Sequence, residues 1–262
     1  MMSEAAVREA ADLLWRHWSE GTRLEALPEE IRPRTRGEGY AVQALLEERS
    51  AVPPFGWKIA ATSKEGQAHI GVDGPLAGRL LAERVVPDGG SLALGHSLMR
   101  VAEPELAFRM ARDLEPRFEP YGVEEVLAAV GTLHPAIELP DSRFEDFVGA
   151  GAAQLIADNA CAHHFVLGPA APEGWRDLEL ARHRVVAACA GRPEREGTGA
   201  NVLGDPRVAL TWLANELASL GITLKAGQVV TTGTCMAPLP VGPGQEVIAD
   251  HGALGRVSLH LT

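Results

Sequence analysis

Arg100-Val-Ala-Glu-Pro-Glu-Leu-Ala-Phe108, continued to Met110, alternates well enough to form a strand over residues 101–110. On a strand, residues i and i+2 point to the same face, so Glu103 and Glu105 project together with Cα atoms about 6–7 Å apart. Two like charges that close repel unless a cation lies between them or one takes up a proton. Pro104 between them has no N–H for a sheet ladder, which suggests an edge or a bulge, where side chains are re-aimed toward a site. A Glu-x-Glu pair alone reads more readily as the solvated face of a half-exposed strand.

A second segment changes that balance. His134-Pro-Ala-Ile-Glu-Leu-Pro-Asp-Ser-Arg-Phe144 places Glu138 inside an apolar run, where a carboxylate needs a partner or a metal. Three carboxylates with water form a hard-oxygen set, suited to Mg²⁺ or Mn²⁺ rather than zinc. Gly56-Trp-Lys-Ile-Ala-Ala-Thr-Ser63 similarly sets Lys58 among apolar residues. A buried lysine has its pKa lowered and can carry protons. The alternative is a lysine whose stem packs while its ammonium reaches water.

Outward from these segments, residues 3–19 pattern as a helix with Ser3 as cap, and residues 37–49 as a second, ended by Pro53-Pro54. Beyond Gly56 short apolar runs alternate with Gly, Pro and Asp clusters. Strands are expected at 185–189, 229–232, 246–249 and 257–261, with helices at 123–130 and 206–220, the latter capped by Asp205. The expected organisation is a helical N-terminal segment (residues 1–52) and a catalytic α+β domain (residues 53–262).

The 262 residues, 46% hydrophobic and 23% charged, suit a globular protein with an ordinary core. The net charge of −11 disfavours nucleic acid and anionic membrane surfaces as partners. It would also repel an anionic substrate unless a bound cation reverses the field locally. Cys161, Cys189 and Cys235 are scattered, with no C-x-x-C spacing, so neither a disulfide framework nor a zinc site is expected. With no signal-like or membrane-spanning run, a cytoplasmic protein is expected. Gly149-Ala-Gly151 and Gly197-Thr-Gly199 lack the remainder of a phosphate-loop pattern. Adjacent His163 and His164 are expected to diverge and make a poor shared metal site. His134 and His251 read either as proton carriers or as polar packing. Ala157-Asp-Asn-Ala160 reads as a ligand contact, a cap or a turn. Thr231 to Thr234 offers hydroxyls and backbone N–H groups to a carboxylate.

Together these segments resemble the 2-keto-4-pentenoate hydratase / 4-oxalocrotonate decarboxylase family of the fumarylacetoacetate-hydrolase-like superfamily. The similar segments are Gly56–Ser63, Gly71-Val-Asp-Gly-Pro75, Glu103-Pro-Glu105, Pro135-Ala-Ile-Glu138 with Asp141-Ser-Arg143, and Ala157–Ala160. They continue through Asn201–Pro206, Trp212–Asn215 and Ala226–Gln228 to Thr232-Gly-Thr234, in family order from about residue 36 onward.

The resemblance implies a mixed β-sheet roll preceded by helices, Mg²⁺ or Mn²⁺ on Glu103, Glu105 and Glu138, and Lys58 as proton carrier. It places Asp73 and Asp158 with the catalytic machinery, and Asn159, Thr234, Thr62 and Ser63 at the substrate. The implied reaction is hydration of a 2-hydroxy-2,4-dienoate to a 4-hydroxy-2-oxo acid, in breakdown of aromatic-ring meta-cleavage products. A 2-oxo-3-enedioate decarboxylase is the runner-up. A C–C bond hydrolase would need a His/Glu pair such as His69 with Glu65. A non-catalytic subunit of a hydratase–decarboxylase assembly would be betrayed by a lost ligand or lysine. The family also implies a homo-oligomer, with some hydratases pairing with a sister decarboxylase. The chain departs from the family's pattern at Met236, where many relatives carry a hydroxyl, at Ala237, which offers no base for a distal carboxylate, and at His134 and Pro140.

Overall fold

The computed structural model describes residues 1–262. Ser3 caps α1 (Glu4–Glu20) by accepting from Ala6 N–H, and Gly21, in the left-handed region, ends it. Thr35 and Glu38 form a capping box at the start of α2 (Arg36–Ala44). That helix is shorter than its sequence pattern: residues 45–49 continue as tight i→i+3 turns, with Glu47 drawn to Arg79 at 2.7 Å.

Next come β1 (Gly56–Ala60), α3 (Lys64–His69), β2 (Leu76–Leu80), β3 (Val85–Pro87), β4 (Ser91–Leu92) and β5 (Val101–Met110). They are followed by α4 (Val123–Ala128), β6 (Val130–Leu139), α5 (Ala152–Ala157), β7 (His164–Leu167), β8 (Arg184–Cys189) and β9 (Arg195–Thr198). The chain finishes with α6 (Pro206–Ser219), β10 (Val229–Thr234), β11 (Leu239–Pro240), β12 (Glu246–Asp250) and β13 (Arg256–Leu261). Asp205 caps α6 through Arg207 N–H, with Pro206 at the first helical position.

The strands build two mixed sheets. One runs β2-β1-β10-β5-β6-β7-β3, with β11 also on β5; the other runs β4-β13-β12-β8-β9. Parallel pairing joins β1 to β10, β3 to β7 and β4 to β13. Strands β12 and β13 pack over β6 and β7, and one large apolar core fills the space, with Phe108, Leu133, Val247 and Leu259 fully buried. The N-terminal helices bury Ala11, Leu14 and Val42 against Phe144 and Ala157 in a smaller core. No helix is long and apolar enough to cross a membrane.

Pro104 does not mark an edge: β5 lies mid-sheet between β10 and β6. The irregularity is on the partner, where β10 shifts register between Thr231 and Thr234, and Cys235 N–H donates to Pro104 O at 2.9 Å. The expected helix at 123–130 stops at Ala128 because Val130 already belongs to β6, a ten-residue strand that Pro135 obscures in sequence.

Candidate metal centre and its lysine

The pairing of β5 with β6 sets Glu103 directly opposite Glu138, and Glu105 two residues along the same face. One oxygen from each of the three carboxylates lies within 4.8 Å of the others. Glu105 and Glu138 have no solvent exposure, while Glu103 is half-buried and marks the open side. Glu105 Oε2 accepts from Thr231 Oγ1 at 2.5 Å and from Gly233 N–H at 2.8 Å, inside the β10 irregularity.

The other oxygens are short of donors. Glu105 Oε1 and both Glu138 oxygens are buried with no hydrogen-bond partner. Lys58 Nζ sits 3.1 Å from Glu138 Oε1, an ion pair by distance but not aligned as a hydrogen bond. Burial, then repulsion from Glu138, pushes Glu103 up to about 7, with Lys58 opposing. Burial likewise raises Glu105 and Glu138. With all three carboxylates ionised, as a bound cation would favour, they and the ammonium carry a formal −2, the charge that one divalent cation cancels. Orphaned, buried, all-oxygen donors of that net charge fit a hard divalent ion.

Lys58 lies on β1, 2% exposed, and Nζ donates to Ala160 O at 3.0 Å. Burial alone would lower its pKa, as the sequence suggested. Here Glu138 and then Glu103, with smaller contributions from Cys161 and Glu105, outweigh burial and hold it above the ordinary lysine value. Ala160 belongs to a turn in which Asn159, Ala160 and Cys161 all have positive φ (58°, 50° and 60°). Such backbone is costly for non-glycine residues and persists only where the surroundings impose it. Ala61 and Leu203 add two more left-handed residues around this strand end, and Leu203 N–H donates to Thr62 O at 2.9 Å.

The remaining sequence candidates divide. Asn159 acts as a strand mimic: its side chain accepts from Arg79 N–H at 2.6 Å and donates to Arg79 O at 2.8 Å on β2. Asp158 turns away from the carboxylates into an ion pair with Arg143, and Ser142 Oγ donates to it at 2.6 Å. Thr62 is buried against Gly233, where an added Cβ would meet its hydroxyl at 2.1 Å. Thr234 pairs with Glu105 across the strands and donates to Met236 O at 2.9 Å. Ser63 Oγ caps α3, accepting from Gly66 N–H at 3.0 Å. Asp73 is not brought in: its side chain is 93% exposed, 4.0 Å from Arg36, and so touches none of the buried carboxylates. His69 and Glu65 are exposed on α3.

Histidines prove to be packing groups. His134 bridges Gly168 O and Thr132 Oγ1 at 2.9 and 2.8 Å. His163 and His164 do not diverge as expected. Because β7 starts only at His164, their rings meet edge-on at 4.3 Å, and His163 also packs on Trp18. Fully buried His251, from the second sheet, reaches Glu105 O at 3.0 Å.

Sequence reasoning missed Arg143 and Gly78 as parts of this site. At Gly78 an added Cβ would lie 2.4 Å from Asn159 O and 3.1 Å from Lys58 Cγ, so only glycine admits the turn. Asp141-Ser-Arg143 did carry a signal, since an aspartate and an arginine sit directly after an apolar strand.

Comparison with known proteins agrees with this geometry. The family model described as fumarylacetoacetate (FAA) hydrolase C-terminal matches residues 64–261. The chain is 33% identical to 2-keto-4-pentenoate hydratase 1 of Dechloromonas aromatica, over 95% of this chain and 94% of that protein. It is 33% identical to a 4-oxalocrotonate decarboxylase of a Pseudomonas species, over 79% and 78%. The solved 4-oxalocrotonate decarboxylase of Pseudomonas putida G7, complexed with magnesium and adipate, superposes with a TM-score of 0.90 at 27% identity, covering 100% and 99% of the two chains. Two-sheet architecture, carboxylate cluster and relatives together place the chain in the fumarylacetoacetate hydrolase family, within its group of 2-keto-4-pentenoate hydratases and 4-oxalocrotonate decarboxylases.

Proposed function

We propose that the protein is a metal-dependent hydratase that adds water to a 2-hydroxy-2,4-dienoate and releases a 4-hydroxy-2-oxo acid, in the breakdown of aromatic meta-cleavage products. The observation that carries this reading is the carboxylate cluster: Glu103, Glu105 and Glu138 within 4.8 Å, with Lys58 against Glu138. A Mg²⁺ or Mn²⁺ ion on the three glutamates would supply Lewis acidity to the carboxylate and 2-oxygen of the substrate and offset the chain's −11 charge.

Lys58 is the proton carrier in this proposal. Of its three N–H groups one donates to Ala160 O, while Glu138 Oε1 lies 3.1 Å away without an aligned hydrogen bond, so donors are left for the substrate. It moves a proton along the dienol to give the α,β-unsaturated 2-oxo acid, and water then adds across the remaining alkene. Thr62, packed on Gly233, and Thr234, which follows Gly233 in the chain, serve as the substrate's hydroxyl contacts, with Ser63 after Thr62. Asp158 and Asn159 act through the turn that seats Lys58.

The side chain at Ala237, which offers no base of its own to a second carboxylate, favours the hydratase over the decarboxylase. The decarboxylase remains the second reading because of the 0.90 superposition over the whole chain. Exposed His69 and Glu65 speak against a hydrolase, and the retained ligands and lysine against an inactive subunit. Like its family, the protein is proposed to assemble as a homo-oligomer, with a sister decarboxylase as a further partner; light scattering on the purified chain, alone and mixed, tests both.

The functional test mixes metal-loaded protein with 2-hydroxypenta-2,4-dienoate, with and without EDTA, and identifies the product by NMR. Metal-dependent 4-hydroxy-2-oxopentanoate is the expected product. Inactivity there, with CO₂ release from 2-oxo-3-hexenedioate, overturns the hydratase in favour of the decarboxylase.

A further inference from the structure

Arg143 lies outside the carboxylate cluster, yet its side chain is 2% exposed and makes an unusual set of contacts. Its Nε donates to Asp158 Oδ1, its Nη2 to Asp158 O, and its Nη1 to Ala162 O at 3.5 Å. Its own N–H donates to Asp158 Oδ2 at 3.0 Å, and the Trp18 ring covers the guanidinium at 4.3 Å. Asp158 and Ala162 are the two flanks of the left-handed turn 159–161. One planar fork therefore ties both ends of a turn whose middle carbonyl, Ala160 O, receives the Lys58 ammonium.

We infer that Arg143 is a positioning residue for the proton-carrying lysine: it holds residues 159–161 left-handed so that Ala160 O seats Lys58 Nζ beside Glu138. The inference rests on the proposed role of Lys58. Three features favour this over simple core packing. The turn uses Asn, Ala and Cys where glycine would fold unaided, so an outside constraint is needed. Asn159 pins the turn's outer side to β2 and backbone bonds close it, Cys161 N–H to Asp158 O at 3.2 Å and Ala162 N–H to Asn159 O at 2.9 Å, while Arg143 is the side chain that ties Asp158 to Ala162 across it. Arg143 also stands five residues after Glu138 on the same segment, so one stretch of chain supplies a carboxylate of the cluster and the restraint on the lysine. A lysine at 143 has a single nitrogen and cannot bridge both flanks as the guanidinium does.

The test compares the full-length metal-loaded enzyme with Arg143→Lys, Arg143→Lys/Ala160→Gly, Arg143→Lys/Arg100→Gly, Asp158→Asn and Lys58→Met. It measures kcat, KM and Mn²⁺ affinity. Arg143→Lys is expected to lower kcat about 30-fold or more, the scale of a lysine misplaced by a fraction of an ångström, with KM and Mn²⁺ affinity nearly unchanged. Ala160→Gly, which adopts the left-handed turn without help, is expected to restore about tenfold of that loss. Arg100→Gly relieves similar backbone strain (φ 46°) at an exposed position and is expected to restore none. Wild-type kcat in Arg143→Lys overturns the inference, as does equal rescue by the two glycines. If Arg143→Lys does not fold, Asp158→Asn replaces it: reduced kcat with intact Mn²⁺ binding supports the inference and wild-type kcat overturns it. An active Lys58→Met removes the reading of Lys58 itself. An inactive Lys58→Met beside a fully active Arg143→Lys removes only the positioning role.

Discussion

Replacing Gly78 by alanine probes how tightly the lysine's seat is built. The added methyl would lie 2.4 Å from Asn159 O and 3.1 Å from Lys58 Cγ. A carbon–oxygen contact relaxes at about 3.3–3.6 Å, so β2 and the 159–161 turn must separate by about 1 Å. The turn cannot follow freely, because Asn159 is bonded to the same strand at Arg79 and Asp158 to Arg143. The displacement therefore falls on Ala160 O and on Lys58. Overpacking of this size costs about 1–3 kcal/mol, or about 2–12 °C in Tm for a domain of this size. A 1 Å misplacement of a catalytic group costs about 100-fold in rate. Glu103, Glu105 and Glu138 belong to β5 and β6 and are not displaced. The expected outcome is a folded Gly78→Ala enzyme with kcat reduced about 100-fold and metal affinity retained, read by loss of the dienol ultraviolet band and by calorimetric Mg²⁺ titration. A variant with wild-type kcat would refute the reasoning, as would one that loses metal before it loses turnover.

Lys58→Met removes the only positive charge from the cluster, taking it from −2 to −3. Divalent metal should bind at least as well, while turnover falls about 100-fold or more, checked by titration and steady-state kinetics. Saturating Mg²⁺ at about 100 times Kd should add about 2.7 kcal/mol of stability, raise Tm by about 5–10 °C, and be reversed by EDTA in a thermal scan. His164 is held down to about 4 by burial and by Arg84. Its folded pKa lies below the unfolded value near 6.5, so it is protonated more readily when unfolded, and stability falls as pH drops from about 6.5 toward 4. Relative to His164→Asn, the wild type should lose about 1.5 kcal/mol between pH 6.5 and 5 in urea denaturation. The comparison cancels the opposite contribution of the buried glutamates, whose raised pKa values favour the folded state in acid.

Strand β5 was legible in the sequence because its ends and alternation are local properties, and they hold over Val101–Met110. The carboxylate cluster was legible for a different reason. A Glu in Ala136-Ile-Glu-Leu139 has no local use for its charge, and so points to something nonlocal. Strand β6 as a whole was hidden by Pro135, whose missing N–H normally excludes a central strand. Least legible was the seat of Lys58. Asn159, Ala160 and Cys161 carry no glycine signal for left-handed backbone; the conformation is imposed by Arg143 and by the edge of β2, both distant in sequence. Asp158 illustrates the same limit. An acid beside an apolar pair reads as chemistry, and only the fold reveals that Ser142 and Arg143 already occupy it.

The central claim is that Glu103, Glu105 and Glu138 together make one divalent-cation site. Titration of Mn²⁺ into the apo-protein, followed by electron paramagnetic resonance with Mg²⁺ as competitor, tests it directly in the wild type and in Glu138→Gln. The expected result is one Mn²⁺ per chain, displaced by Mg²⁺, with affinity at least about 100-fold weaker in Glu138→Gln, which removes a ligand and a unit of charge. Binding that is absent, exceeds one ion per chain, or is indifferent to Glu138→Gln would contradict the account.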